Sequence, residues 1–93
     1  MSPPEVHFES IHFSGHVQGV GFRYSVLQVA KEYDISGVVQ NLTDGRVLLE
    51  LEGTLDDISQ MVAAIEERMD GYVRGVERSA SKRVAQFSGF SIR

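Results

Sequence analysis

The sequence contains no cysteine and no tryptophan, and it has only two prolines among its 93 residues. Without cysteine the chain can form no disulfide, thiolate metal site or iron–sulfur cluster, and it has no thiol nucleophile. Both prolines lie in residues 1–5, a segment without periodicity that we expect to be a loose tail. The length suits one domain, which we place at residues 6–93, and the hydrophobic content of 42% is that of a globular chain.

Long hydrophobic runs are also missing from the sequence. No stretch approaches the ~18 apolar residues that are needed to cross a bilayer. The opening residues MSPPEVHFES lack the basic head and apolar centre of a signal peptide. We therefore expect a cytoplasmic protein that has no membrane partner.

Positively charged residues are fewer than negatively charged ones. The sequence has nine Lys and Arg residues and 13 Asp and Glu residues, which gives a net charge of -4. This balance argues against a nucleic-acid partner, since proteins that bind nucleic acid carry a basic surface. The charge is unevenly spread: residues 68–93 hold six basic and two acidic residues and sum to +4, whereas the rest sums to -8. The basic part is either solvated strand and loop surface or the source of a weak field that attracts a small anion.

Apolar periodicity and turn signals predict alternating strands and helices. Phe22, Val26 and Tyr33 belong to a stripe along one helical face. The dipeptide at residues 44–45, Asp-Gly, supplies the positive φ of a tight hairpin, and Thr54 can cap a second helix. The elements expected in order are a strand at Val6–Ser14, a helix from Phe22 to about Asp34, strands at Val38–Asn41 and Arg46–Glu52, a helix after Thr54, and strands at Val73–Ser81 and Phe87–Ile92.

The order strand, helix, strand, strand, helix, strand, which the first six of these elements follow, is the split βαβ arrangement. It predicts an α+β fold in which two helices cover one face of an antiparallel sheet. Enzymes, metal carriers, ligand sensors and RNA binders all use this architecture, so the fold alone does not give the function.

The segment at residues 15–21 holds three glycines where a strand leads into a helix. Glycines there allow several main-chain N–H groups to turn inward beside the positive end of the helix, which is an arrangement that binds anions. Arg23 follows in the first helical turn, where a cation costs ~0.3 to 1 kcal/mol, and its planar fork can hold two oxygens of one phosphoryl group. The plainer interpretation is that the glycines serve only loop geometry. The loop lacks the Gly-Lys-Ser/Thr ending of a nucleotide P-loop.

Two segments carry a resemblance to a known family. Residues 15–23, Gly-His-Val-Gln-Gly-Val-Gly-Phe-Arg, resemble the signature loop of the acylphosphatase family, and residues 37–47, Gly-Val-Val-Gln-Asn-Leu-Thr-Asp-Gly-Arg-Val, resemble its second signature. The similarity runs from about Ser10 to Ile92. It implies a ferredoxin-like domain that hydrolyses the carboxyl–phosphate bond of small acyl phosphates without a metal or other cofactor and releases inorganic phosphate.

The resemblance also implies roles for individual residues. Asn41 would orient the attacking water, and Arg23 would hold the phosphate together with the loop. Val38 stands where the family often has Trp, and residues 69–72 replace a frequent Gly-Pro-Pro stretch. Both departures bear on the acyl-group preference and on local stability. The implied phosphate-binding set is Gly15, His16, Val17, Gln18, Gly19, Val20, Gly21 and Arg23.

Several of these residues have alternative interpretations. Asn41 stands before a turn, where Asn is common because its side chain bonds nearby backbone, and it begins a glycosylation acceptor that we take to be accidental. His16 either adds a donor to the phosphate or is a solvated loop residue. His7 and His12 are five residues apart on one strand, so they point to opposite faces and are not expected to share a metal.

Three functions remain in view at this stage. The first is a stand-alone acylphosphatase, which we expect to be a monomer. The second is a non-catalytic module that binds or delivers carbamoyl phosphate with a partner protein, because acylphosphatase-like domains also open larger carbamoyl-transfer proteins. The third, an RNA-binding or ligand-sensing module, is disfavoured by the charge and by both signature segments.

Overall fold

The computed structural model describes residues 4–93, in which the chain forms five strands and two helices. Of the expected tail, residues 1–3 lie outside the described residues, and Glu5 is the first residue of a strand. The strands are β1 (Glu5–Gly15), β2 (Ser36–Asn41), β3 (Val47–Gly53), β4 (Val73–Val84) and β5 (Phe90–Ile92), and the helices are α1 (Phe22–Ala30) and α2 (Leu55–Arg68).

The sheet has the strand order β4-β1-β3-β2-β5. β1 pairs antiparallel with β3 and β4, and β2 pairs antiparallel with β3, as the split βαβ prediction requires. β5 differs from the expected antiparallel sheet because it pairs parallel with β2, which makes the sheet mixed. The reason is that the chain after β4 must reach the opposite edge of the sheet. β4 lies at one edge, and the main-chain N–H groups of Gln86 and Phe87 bond the Glu52 carboxylate on β3 before β5 pairs with β2 at the other edge.

The core lies between the sheet and both helices. Ile11 and Phe13 of β1 alternate with exposed or half-buried neighbours, as a strand with one buried face must. The helices contribute their apolar stripes to the same cluster, so the predicted placement of two helices on one face is confirmed. The members of the core are Ile11, Phe13, Val17, Phe22, Val26, Val29, Ala30, Ile35, Val39, Val47, Leu49, Leu51, Ile58, Met61, Val62, Ile65 and Met69.

Helix α1 is shorter than the apolar stripe indicates, since it ends at Ala30 rather than near Asp34. The N–H groups of Glu32 and Tyr33 bond carbonyls only three residues back, at 3.0 and 3.2 Å. The chain thus continues in tighter turns that still pack Tyr33 against the core.

Helix α2 begins as predicted. The Thr54 hydroxyl accepts a hydrogen bond from the Asp57 N–H at 3.1 Å, which confirms Thr54 as the cap.

Two buried carboxylates tie the basic strand β4 and the residues after it to the rest of the sheet. Glu9 accepts two hydrogen bonds from Arg78, at 2.7 and 2.9 Å. Glu52 accepts one from Arg83 at 2.9 Å and others from the main-chain N–H groups of Gln86 and Phe87 at 2.8 to 3.0 Å. Two of the six basic side chains in residues 68–93 are therefore engaged in ion pairs with acids of the preceding part.

Candidate active site

The glycine-rich loop begins at a place that only glycine fits. Gly15 has φ +119°, and a Cβ atom there would lie 2.5 Å from the Tyr72 carbonyl oxygen and 2.8 Å from the Arg74 nitrogen. The next residue, His16, donates its N–H to that same Tyr72 oxygen at 2.9 Å. The start of the loop is therefore fixed against the start of β4.

The end of the loop turns into helix α1 through two more left-handed residues. Gly19 has φ +79° and Gly21, the N-cap of α1, has φ +75°. Such values are readily adopted by glycine and rarely by other residues. Phe22 then enters the core, where its ring centroid lies 5.1 Å from that of Phe13. The loop is held at both ends, so the position of its main chain relative to the N-terminus of α1 is fixed.

A side chain also fixes the middle of the loop. The Gln18 amide nitrogen donates to the main-chain oxygens of Leu42 and Arg46, at 2.8 and 2.9 Å. Both acceptors belong to the turn between β2 and β3, which follows Asn41. The neighbouring Val17 is 1% exposed and anchors the loop in the core. Gln18 thus joins the loop to the turn that carries Asn41.

The loop, helix α1 and the ends of β2 and β5 line an open cavity of about 230 Å³. Arg23 and Asn41, which were predicted to act at one site, both line it. Of the predicted loop residues, the cavity includes Val17, Gly19 and Gly21. It is lined by Val17, Gly19, Gly21, Phe22, Arg23, Tyr24, Asn41 and Ile92.

Four predicted loop residues lie outside this lining. Gly15 and His16 anchor the loop, and the Gln18 side chain holds it to the turn. Val20 packs against the core. The His16 ring is exposed and lies 6.1 Å from the Tyr72 ring, between centroids, which leaves its expected role toward phosphate a prediction.

Arg23 lies in the first turn of α1, as predicted, and it is half-buried. Its Nη1 donates to the main-chain oxygen of Arg93 at 2.7 Å, which ties α1 to the residue after β5. Within the described residues, the first turn of α1 contains no acidic side chain. The helix N-terminus and the guanidinium thus both add positive potential at the cavity.

Three lining residues were not predicted from the sequence: Phe22, Tyr24 and Ile92. Phe22 was assigned to the core stripe, where it also belongs. Tyr24 adjoins Arg23 and lies off that stripe, which is a signal that could have revealed it. Ile92 reaches the site through the parallel pairing of β5 with β2, in which it lies opposite Val39.

Metal ligands do not gather in the described part of the chain. Among residues 4–93, no three His, Asp or Glu side chains form a group that could hold a metal ion. His7 lies 3.3 Å from the Glu9 carboxylate, measured from Nε2 to Oε2. No helix in that range is both long and apolar enough to span a membrane.

The fold and the cavity together define a small split βαβ domain with a cavity at a helix N-terminus. A helix N-terminus and an arginine are groups that can hold a phosphoryl group, and the carboxamide of Asn41 lines the same cavity. Comparison with known proteins identifies the family.

The acylphosphatase family model matches residues 9–92. An acylphosphatase of Methanospirillum hungatei is 41% identical over 86 residues, which cover 90% of this chain and 93% of that protein. The crystal structure of acylphosphatase from Bacillus subtilis gives a TM-score of 0.86 at 32% identity, covering 94% of this chain and 98% of that one. The chain belongs to the acylphosphatase family, and the resemblance and the ferredoxin-like fold predicted from the sequence are confirmed.

A larger protein shares the fold. HypF of T. kodakarensis gives a TM-score of 0.80 at 26% identity, and the match covers 94% of this chain but only 12% of that protein. The similarity is thus to a single module of HypF.

Proposed function

We propose that the protein is an acylphosphatase, an enzyme that hydrolyses the carboxyl–phosphate bond of small acyl phosphates to a carboxylate and inorganic phosphate. The observation that carries the proposal is that Arg23 and Asn41, from different elements, line one cavity at the N-terminus of α1. Membership of the acylphosphatase family supports it.

The phosphoryl group binds at the loop. Main-chain N–H groups of the loop residues that line the cavity, Val17, Gly19 and Gly21, and the N-terminus of α1 supply donors that cost no reorganisation during the reaction. Arg23 adds a permanent charge, which offsets the charge that spreads over the phosphoryl oxygens in the transition state. Its bond to the Arg93 oxygen positions the guanidinium before substrate arrives.

The leaving group needs little help. An acyl phosphate is a mixed anhydride, and the carboxylate that departs has a conjugate acid with a pKa of ~4, close to that of a side-chain carboxyl. A strong general acid is therefore unnecessary. The enzyme is left with two tasks, to orient water in line and to stabilise charge on the phosphoryl oxygens.

Asn41 performs the first task. Its neutral carboxamide both donates and accepts hydrogen bonds, so it orients a water molecule without competing as a nucleophile. The water oxygen forms a bond to phosphorus while the bond from phosphorus to the acyl oxygen breaks, and its electron pair stays with the carboxylate. One water proton passes to a phosphoryl oxygen and the other remains on the attacking oxygen, which gives dihydrogen phosphate. The rate for bound substrate should then stay flat across neutral pH, and a decline with a His-like pKa near ~6.5 would contradict this proton path.

The alternative, a non-catalytic module that binds or delivers carbamoyl phosphate, is not favoured. Its support is the HypF likeness, which spans 12% of that protein, whereas the Methanospirillum acylphosphatase is matched over 93% of its length. Monomeric action and a cytoplasmic location stay predictions, which sedimentation and cell fractionation would test.

The experiment is hydrolysis of benzoyl phosphate by the purified protein with and without a chelator, followed by ultraviolet absorbance. We expect turnover in both cases, competitive inhibition by inorganic phosphate, and, in ¹⁸O-water, label in the phosphate and none in the benzoate. Absence of turnover would support the binding module instead. Label in benzoate would show attack at carbon and would contradict the mechanism.

A further inference from the structure

Large apolar side chains that are exposed together beside a charged site can mark a surface that binds a ligand. Among residues 4–93, the exposed members of this class are Tyr24, Leu55, Tyr72, Val84 and Ile92. Tyr24 is 64% exposed and Ile92 is 38% exposed, and both line the cavity that contains Arg23 and Asn41. Single exposed apolar residues need no explanation, but two that line one small cavity point to a ligand.

The two side chains come from separate elements that meet at this cavity. Tyr24 directly follows Arg23 on α1. Ile92 lies opposite Val39 in the parallel pairing of β5 and β2, and Val39 precedes Asn41 by two residues. Since residues two apart on a strand share a face, Ile92 and Asn41 lie on the same face of the sheet, the one that α1 packs against.

The phosphoryl end and the acyl end of an acyl phosphate differ in charge, so they would occupy different parts of the cavity. The phosphoryl end is anionic and is held by the loop and Arg23, so the acyl end must extend away from the loop. Apart from Asn41, the lining residues outside the loop and Arg23 are apolar or aromatic: Phe22, Tyr24 and Ile92. The cavity volume of about 230 Å³ is below the ~300 Å³ at which pockets for drug-sized ligands begin, so it suits a phosphoryl group and a single acyl group.

We propose that Tyr24 and Ile92 form the acyl-group subsite and give the enzyme a preference for aromatic and bulky apolar acyl phosphates over acetyl phosphate. The proposal rests on the proposed acylphosphatase function. The Tyr24 ring offers a planar face to an aromatic acyl group, and Ile92 covers that group from β5. Both residues remain partly exposed until substrate binds, so the acyl group removes apolar surface of the enzyme from water as well as its own.

The test is kcat/KM for benzoyl phosphate and acetyl phosphate in the wild type and in Tyr24→Ser, Tyr24→Phe, Ile92→Ala and Leu55→Ser. Leu55 is the matched control, because it is 58% exposed and begins α2 outside the cavity. We expect Tyr24→Ser to lower kcat/KM about tenfold for benzoyl phosphate and less than twofold for acetyl phosphate. Ile92→Ala should act in the same direction, and Tyr24→Phe and Leu55→Ser should retain the wild-type ratio.

A benzoyl-to-acetyl ratio that stays within twofold of wild type in both Tyr24→Ser and Ile92→Ala would overturn the subsite while leaving the acylphosphatase function intact. An equal loss for both substrates would also overturn it, because the residues would then act on the shared phosphoryl end.

If the wild type hydrolyses neither substrate, the proposed function fails and the subsite is tested by calorimetry. Benzoylphosphonate should then bind more tightly than acetylphosphonate, and Tyr24→Ser should remove the difference. Equal affinities of the wild type for the two phosphonates would overturn the subsite.

Discussion

At the scale of single residues, Arg23 occupies a position that costs stability. A cation in the first turn of a helix opposes the helix dipole by ~0.3 to 1 kcal/mol, and Arg23 lies there without a carboxylate in that turn. The charge is instead held by a main-chain oxygen, that of Arg93. A cost of this kind is retained where a function needs the charge, which supports the proposal that an anion binds at the same helix end.

Gly15 and Gly19 are needed in the loop for different reasons: Gly15 has positive φ and no space for a Cβ atom, whereas Gly19 has positive φ only. In Gly15→Ala the new Cβ would meet the Tyr72 oxygen at 2.5 Å with φ at +119°, so we expect a loss of ~2 to 5 kcal/mol in the free energy of unfolding. In Gly19→Ala, with φ +79° and no atom within 4 Å, only the conformational cost of ~1 to 2 kcal/mol should appear. Urea unfolding of both variants measures this. Equal losses would contradict the close approach of the loop to β4.

At the scale of elements, the glycine-rich loop and the turn between β2 and β3 act as one unit because Gln18 bridges them. The Leu42 and Arg46 oxygens also accept main-chain hydrogen bonds within the turn, so the Gln18 amide adds to an already bonded pair. The bridge therefore sets the position of the loop relative to Asn41 more than it satisfies buried groups.

Gln18→Leu keeps the volume of the side chain and removes both donors. We expect a loss of ~1 to 3 kcal/mol in the free energy of unfolding, from two hydrogen bonds at ~0.5 to 1.5 kcal/mol each. We also expect kcat to fall about tenfold, because the bound phosphoryl group moves relative to Asn41. Inhibition by inorganic phosphate should change less than threefold, since the loop amides and Arg23 remain.

The matched control is Gln60→Leu on α2, whose side chain bonds only Asp56 among the described residues, at 2.9 Å on the surface. It should change neither kcat nor phosphate inhibition. A Gln18→Leu variant that loses stability but keeps the wild-type kcat would show that Gln18 is merely structural.

Local patterns predicted much of these elements. The period of the apolar residues predicted both helices, and Asp44 and Gly45 predicted the hairpin. The glycines with Arg23 predicted an anion site, which stays a prediction. The parallel pairing of β5 was not predictable, because it depends on Glu52 binding the Gln86 and Phe87 N–H groups 34 and 35 residues away. Ile92 was missed for the same reason, since it reaches the cavity through that pairing. Tyr24 differs, because its place beside Arg23 and off the apolar stripe was a local signal that could have revealed it.

At the scale of the whole molecule, stability rests partly on two buried carboxylates. The Arg78 hydrogen bonds lower the pKa of Glu9 below its ordinary 4.5 and outweigh the opposing effect of burial. Burial raises the pKa of Glu52, but the hydrogen bonds from Phe87, Gln86 and Arg83 outweigh it and the net shift is downward. Both groups thus bind a proton more weakly in the folded than in the unfolded chain.

The sign of the resulting pH dependence follows from linkage. The stabilisation is fully present above the ordinary pKa of 4.5 and is lost as the pH falls through the lower values of the folded state. We expect the urea midpoint to drop between about pH 5 and about pH 3. Glu9→Gln should be less stable at neutral pH and should show a smaller drop, whereas Glu32→Gln, an exposed position after α1, should follow the wild type. A Glu9→Gln variant with the full wild-type drop would contradict this assignment.

The roles proposed for Arg23 and Asn41 at one phosphoryl group are tested most directly by steady-state kinetics of Arg23→Ala and Asn41→Ala on benzoyl phosphate, with inorganic phosphate as competing ligand. Removal of one preorganised donor costs ~2.7 to 4 kcal/mol, roughly a hundred- to a thousandfold in rate. Asn41→Ala should lose kcat by that factor and keep its phosphate affinity, because only the water is misplaced. Arg23→Ala should lose both the rate and the phosphate affinity. An Asn41→Ala enzyme as active as the wild type, or an Arg23→Ala enzyme that binds phosphate as tightly, would contradict a shared site.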